Sequence, residues 1–431
     1  MIQATASGRL DVMGGVADYS GSLLLQMPIR ESTTVTLKPR EDGMLRVQSD
    51  VMRQEYSMQV LDFYQDGQWI STEVLRPKIT SREGGEWAIY VVGCVFALLE
   101  KYDLPAQGFD IHLASDVPLG KGVSSSASLE VATLKALTAY YNVSLPDLQL
   151  PILAQYVENE IVGAPCGLMD QLASYFGKPR HLLPIICQPA SIHEPIPIPE
   201  HVHFIGIDSG VRHAVSGNPY REARVAAFMG YSYIAQSLGI EKELLLRKKA
   251  GEALANLPFN GYLSNIGLPL LWTDFQKILP EKMLGRTFIE TFGDTIDPVT
   301  TVDPDVEYAV KACTQFPIWT NYCVQTFQKL LEGWNIVEDK PLILRMLGRF
   351  MTSLNKGYSS MGLGSDRTDA LVKALMDVGQ KGGIYGARIT GGGSGGTVCA
   401  VCYGDEGKAN ALQVATDFSQ QYDYPKCVFE S

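Results

Sequence analysis

"PLGKGVSSSASLEVATLKAL", residues 118–137, changes character halfway. Gly120, Gly122 and the serines Ser124, Ser125 and Ser126 lead directly into Val131, Leu134, Thr138 and Tyr141, which recur at helical spacing. A glycine- and serine-rich turn that opens a helix is an anion site in physical terms. The glycines let backbone approach a ligand, free N–H groups point out of the helix N-terminus, and the dipole adds positive potential. A capped helix after a turn would account for Ser124 but not for the glycines and the serine excess. The stretch is neither of the common nucleotide loops: no Gly-Lys-Ser/Thr ends it, Lys121 lies between the glycines, and G-x-G-x-x-G is not met.

Further on, "YVENEIVGAPCGLMDQLASYFG" (156–177) sets Glu158, Glu160 and Asp170 among apolar and small residues. Carboxylates so placed need a partner or a function, although a helix starting near Asp170 is an alternative. "SGRLDVMGGVADYSG" (7–21) packs an arginine, two aspartates and four glycines into one short polar run. "GIYGARITGGGSGGTVCAVCY" (383–403) reads as strand, glycine loop, strand.

"TTVTLKPR" and "MLRVQSD" alternate like early strands, and "RMLGRFMTSLNKG" sets Leu344, Leu347, Met351 and Leu354 on one helical face. The proline-rich run at 187–204 is the candidate boundary, giving expected domains 1–200 and 201–431. Strand-like and helix-like stretches mixed throughout predict an α/β or α+β protein.

The chain has 431 residues, 46% hydrophobic, with a net charge of -11. Such an acid excess argues against nucleic acid or an anionic membrane as partner. The apolar run from Trp87 to Leu99 is too short to span a bilayer and no leader opens the chain, so a cytoplasmic enzyme is expected. Eight cysteines do not form a disulfide framework; Cys399 and Cys402 fall in a strand-like run and read as buried thiols. His201 and His203 fit a strand without zinc-like company.

Taken together, "SGRLDVMGGVADYSG", "PLGKGVSSSAS" and "ARITGGGSGGTV" resemble, in that order, the three motifs of the GHMP small-molecule kinases, in the galactokinase-like branch. The resemblance implies a two-domain α+β fold, N-terminal half ribosomal-protein-S5-domain-2-like and C-terminal half ferredoxin-like, with the active site in the cleft between. It also implies ATP and Mg²⁺. Asp170 matches the aspartate that accepts or orients the proton of the sugar's anomeric hydroxyl, and Arg9 the arginine that pairs with it. Ser126 and Glu158 match Mg²⁺ ligands, while Asp18, Gly167 and Tyr220 match sugar contacts. Gly120, Lys121, Gly122, Ser124, Ser125, Ser126, Gly392 and Gly393 would cradle the nucleotide, with Trp87 and Tyr90 as a candidate wall for adenine.

One departure bears on the substrate. Galactokinases carry Glu-His-Thr where this chain has Gly15, Val16 and Ala17, so the partners of galactose's hydroxymethyl group are missing. L-arabinopyranose is the matching sugar without that group. Burying a hydroxymethyl against Val16 unpartnered costs roughly 1–3 kcal/mol, about 10- to 200-fold in preference. "GLGSDRTDALVKAL" (362–375) and "DSGVRHAVSGNPY" (208–220) further resemble L-arabinokinases, and Lys121 fits that subgroup. With eight residues ahead of Arg9, the kinase is expected to stand alone. The reading is an ATP-dependent L-arabinose 1-kinase; a galactokinase, a uronic-acid 1-kinase helped by Arg221, or a non-catalytic sugar sensor are the alternatives.

Overall fold

The computed structural model of the chain describes residues 1–431 except 147, 165, 212–217 and 255, and the side chain of Asn218. Part of the stretch 208–220 therefore lies outside the described residues.

Among the described residues, two larger sheets carry the molecule. The first uses β1 (Ile2–Met13), β2 (Leu23–Arg40), β3 (Met44–Ser49), β4 (Gln54–Gln59), β5 (Gly108–Ser115), β6 (His181–Ile186), β7 (Ser191–Ile192) and β8 (Ile196–Pro197). Its order is β8-β6-β2-β5-β3-β4, with β1 also on β2 and β7 on β6. The β3–β5 pair is parallel and the others antiparallel. Val35 and Leu37 of β2 and Val47 of β3 alternate onto one face. They meet α1 (Gly85–Tyr102) and α2 (Ser125–Tyr141), which share a core with them through Val92, Val95, Val131 and Leu134. The helical spacing noted at 131 and 134 is thus the buried stripe of α2.

The second sheet consists of β9 (Val202–Asp208), β10 (Ile384–Ile389), β11 (Thr397–Tyr403) and β12 (Val428–Phe429), in the order β10-β11-β9-β12 and wholly antiparallel. Numbered by appearance this is 2-3-1-4, the ferredoxin-like arrangement expected. The central strand β11 is buried on both faces, which explains its apolar run. Cys399 and Cys402 are accordingly buried free thiols.

Against these sheets fold α3 (Met169–Phe176), α4 (Asn218–Ser237), α5 (Val310–Glu332), α6 (Lys340–Ser360) and α7 (Asp366–Val378). The expected apolar face of α6 is fully buried at Leu344, Leu347, Met351 and Leu354. Gly348 brings α6 against β10, since a Cβ there would lie 1.9 Å from the Tyr385 carbonyl oxygen. One apolar cluster joins both sheets, holding Leu10 and Val12 together with Phe204, Ile389 and Val401. Strand β1, which carries Arg9, is thereby fixed between the halves. Among the described residues no helix is long and apolar enough to cross a membrane.

Candidate active site

The turn before α2 builds the site's floor. Gly120, Gly122 and Ser124 have φ of 71°, 74° and 61°, so every second residue is left-handed and the intervening N–H groups curl to one side. Ser124 is not a conventional cap: its side chain makes no bond to the helix, and its buried Oγ has no hydrogen-bond partner in the protein. The N-terminus of α2 consequently faces the cavity uncapped, where an anion can take its free N–H groups.

β1 delivers Arg9 beside this turn. A bulge at Gly8 bends the strand, and a Cβ at Gly8 would lie 2.7 Å from the Val123 carbonyl oxygen, so the approach requires glycine. Arg9 Nε and Nη2 donate to Asp170 Oδ1 and Oδ2 at 2.8 and 2.9 Å, while Nη1 donates to the Gly122 carbonyl at 2.7 Å. The guanidinium ties the turn before α2 to the carboxylate in a two-pronged geometry that fixes both. Asp170 is 24% exposed and opens onto the cavity, whereas Arg9 is buried at 4%.

A cavity of about 150 Å³ is lined by Arg9, Asp18, Gly120, Gly122, Ser124, Ser125, Ser126, Glu158, Cys166, Gly167, Met169, Asp170, Tyr220 and Gly392. It gathers residues from all three motifs. Ser126 Oγ donates to Glu158 Oε1 at 2.9 Å, and Gln171 Nε2 donates to Glu158 Oε2 at 2.7 Å. Burial pushes the Glu158 carboxyl up to about 7, and raises the carboxyl of Glu130 behind it well above the ordinary range. A hydroxyl beside a carboxylate suits Mg²⁺, which takes few protein oxygens and completes its shell with phosphate and water. Among the described residues no set of three His, Cys, Asp or Glu forms a fuller metal cage.

Asp18 stands across the cavity. Its Oδ1 accepts the Tyr19 N–H at 2.7 Å, and a Cβ on Gly167 would sit 1.9 Å from its Oδ2. Burial raises its carboxyl to about 6, opposed by Arg224 and the Tyr19 N–H. Arg224 is held in two hydrogen bonds of 2.8 Å by Asp297. A second cavity of about 220 Å³ shares Ser125 and Ser126 and extends past Trp87, Tyr90, Leu119 and Leu129. It continues from the phosphate turn toward the aromatic wall expected from sequence.

Four expectations need correction. Gly15 and Val16 do not reach the cavity wall: Val16 is 1% exposed, and the Tyr358 hydroxyl occupies the space beside Gly15. Lys121 Nζ turns from the phosphate turn to Asp208 Oδ2 at 2.6 Å. Gly393 packs on Leu363 and Tyr358 behind Gly392, which does line the cavity. Arg221 is exposed on α4, and the cation behind Asp18 is Arg224.

Sequence reasoning missed Gln171, Glu130, Arg224, Tyr358, Asp11 and Arg388. Arg224 was within reach, because it follows Tyr220 by one helical turn and so shares its face. Arg388, a charge inside an apolar strand, likewise signals a buried partner.

The chain carries both domains of the GHMP kinase family: the family's N terminal domain matches residues 89–178 and its C terminal domain residues 340–423. Within it, the chain is 38% identical over 442 aligned residues to L-arabinokinase of Arabidopsis thaliana, a match covering 92% of this chain and 42% of that protein. It is 34% identical over 236 residues to galactokinase of Chloroflexus aurantiacus, covering 55% of this chain and 56% of the relative. The chain thus spans less than two thirds of the length of these relatives. Galactokinase of Lactococcus lactis, solved with galactose, has the same fold at TM-score 0.71 and 19% identity, covering 100% of this chain and 92% of that one.

Proposed function

We propose that this chain phosphorylates the anomeric hydroxyl of L-arabinose with MgATP, giving β-L-arabinose 1-phosphate and ADP. The carrying observation is the convergence on one cavity of the Arg9–Asp170 pair, the open N-terminus of α2 and the Asp18–Gly167–Tyr220 wall. The units 1–200 and 201–431 act as the two domains of the kinase, in the cytoplasm.

In this mechanism Asp18 and Tyr220 hold the sugar ring, Gly167 leaving room for the Asp18 carboxylate. Asp170 aligns the anomeric hydroxyl and takes its proton as the new O–P bond forms and the bond to the ADP oxygen breaks. Arg9 holds Asp170 in place and lies beside the transferring phosphoryl group. The N–H groups at Ser125 and Ser126 receive the phosphate oxygens, with Trp87 and Tyr90 walling the base. Ser126 and Glu158 would hold Mg²⁺, which supplies charge neutralisation to the phosphates when bound. Little covalent help is required of the protein, since phosphoryl transfer is catalysed by positioning and electrostatics.

The similarity to L-arabinokinase along 92% of the chain supports arabinose as the substrate. A uronic acid is less well served, because Arg221 is exposed and Arg224 is already paired with Asp297. ADP release from the purified protein with MgATP and equal concentrations of L-arabinose, D-galactose, D-glucuronate or D-galacturonate tests the proposal. Arabinose should be turned over fastest. Faster turnover of galactose would overturn the sugar assignment, and no turnover of any would favour a non-catalytic sensor.

A further inference from the structure

Tyr358, two residues from the end of α6, is fully buried and touches neither cavity. Its hydroxyl donates to the Gly391 carbonyl at 2.6 Å and accepts the Val16 N–H at 3.1 Å and Arg388 Nη2 at 3.3 Å. One donor and two accepted hydrogens exhaust what a phenol offers. The other end of Gly391 is held too, its N–H donating to Asp11 Oδ2 at 3.1 Å, while Asp11 Oδ1 accepts the Gly15 N–H at 3.2 Å. Asp11 and Arg388 form a 3.0 Å ion pair with neither side chain exposed.

Both polar groups of Gly391 are therefore bound to residues that also hold the turn at Gly15 and Val16. Gly391 is next to Gly392, which lines the cavity, and its own Cβ direction faces Arg9 Nη2 at 3.6 Å and the Gly122 carbonyl at 3.7 Å. The phenol is matched to the absence of a side chain at position 15: a Cβ there would lie 1.7 Å from the hydroxyl oxygen but 3.0 Å from Cζ.

We infer that Tyr358 is a positioning residue for phosphoryl transfer, its hydroxyl latching the Gly15–Val16 turn to Gly391 and so setting the glycine loop against Arg9 and the phosphate turn. The inference rests on the kinase reading above. The latch makes no hydrogen bond to Asp18, Gly167 or Tyr220, and Asp18 lies two residues beyond Val16 on the same short helix, so the loss is expected in turnover more than in the sugar's hold.

Tyr358→Phe tests this, because it removes one oxygen and keeps the ring. Its kcat should fall about 10- to 100-fold, the scale of a small misplacement transmitted to a reacting centre. Sugar affinity by calorimetry should stay within about threefold of wild type, placing the loss in kcat rather than binding. A purely structural role predicts a lower melting temperature with kcat at 20 °C unchanged, which would overturn the inference, as would a loss confined to sugar affinity. The cycle with Gly15→Ala adds a second readout: Gly15→Ala should lower kcat more in the wild-type background than in the Tyr358→Phe background, and equal factors would count against the latch. If wild-type protein turns over no sugar, the kinase reading fails; if it is active and Tyr358→Phe matches it, only the latch fails.

Discussion

Lys121, in the turn that opens α2, forms a 2.6 Å ion pair with Asp208, the last residue of β9 and fully buried. The Lys121 carbonyl also accepts the Thr397 hydroxyl at 2.7 Å, so the turn before α2 is fastened to the second sheet by both side chain and backbone. Lys121→Met should leave Asp208 buried without its cation and destabilise the protein by about 3 kcal/mol in denaturant unfolding. Lys121→Met/Asp208→Asn should recover part of that loss. A raised KM for ATP with stability unchanged would instead mean that Lys121 serves phosphate.

Asp170→Ala removes the carboxylate proposed to align the anomeric hydroxyl and leaves Asp18, Gly167 and Tyr220 in place. Turnover should drop by about 10²- to 10⁴-fold, the range for a positioned acid or base, with L-arabinose binding still measurable by calorimetry. Retention of wild-type kcat would remove Asp170 from the chemistry.

Gly167 sits where any side chain meets Asp18, a Cβ falling 1.9 Å from Oδ2. Gly167→Ala should displace that carboxylate and weaken sugar affinity by at least about tenfold, on the scale of one lost charged hydrogen bond. Titration calorimetry with unaltered affinity would show that Asp18 does not hold the sugar.

The Asp18 carboxyl, raised by burial to about 6, makes a signed prediction. The folded protein keeps this proton up to about pH 6, whereas an unfolded chain releases it near its ordinary value. The stability this gives is complete below about pH 4 and is lost as the pH rises through 6. Asp18→Asn should therefore stabilise the sugar-free protein by about 3 kcal/mol at pH 8 and by little at pH 4, read by denaturant unfolding. Sugar binding by wild type should weaken below pH 6, as the carboxylate gains a proton. Equal stabilisation at both pH values would rule out a buried, charged Asp18 as the cause.

Local pattern carried much of this molecule. The turn at 118–126, the strand-loop-strand at 383–403 and the apolar face of α6 are each fixed by neighbours in sequence, and each lies where its pattern indicates. What stayed hidden depends on pairings across hundreds of residues. Nothing near Gly15 in sequence reveals Tyr358, far along the chain on α6, which fills the space beside it and keeps it from the pocket wall. The sequence around Lys121 does not show Asp208, which becomes its neighbour only when the two sheets join.

Transfer to the anomeric oxygen is tested most directly by the product. Wild-type protein with MgATP and L-arabinose labelled with carbon-13 at the anomeric carbon should give a single phosphate ester whose phosphorus couples to the labelled carbon in NMR. An ester at another position, or inorganic phosphate released without any ester, would contradict an anomeric sugar kinase.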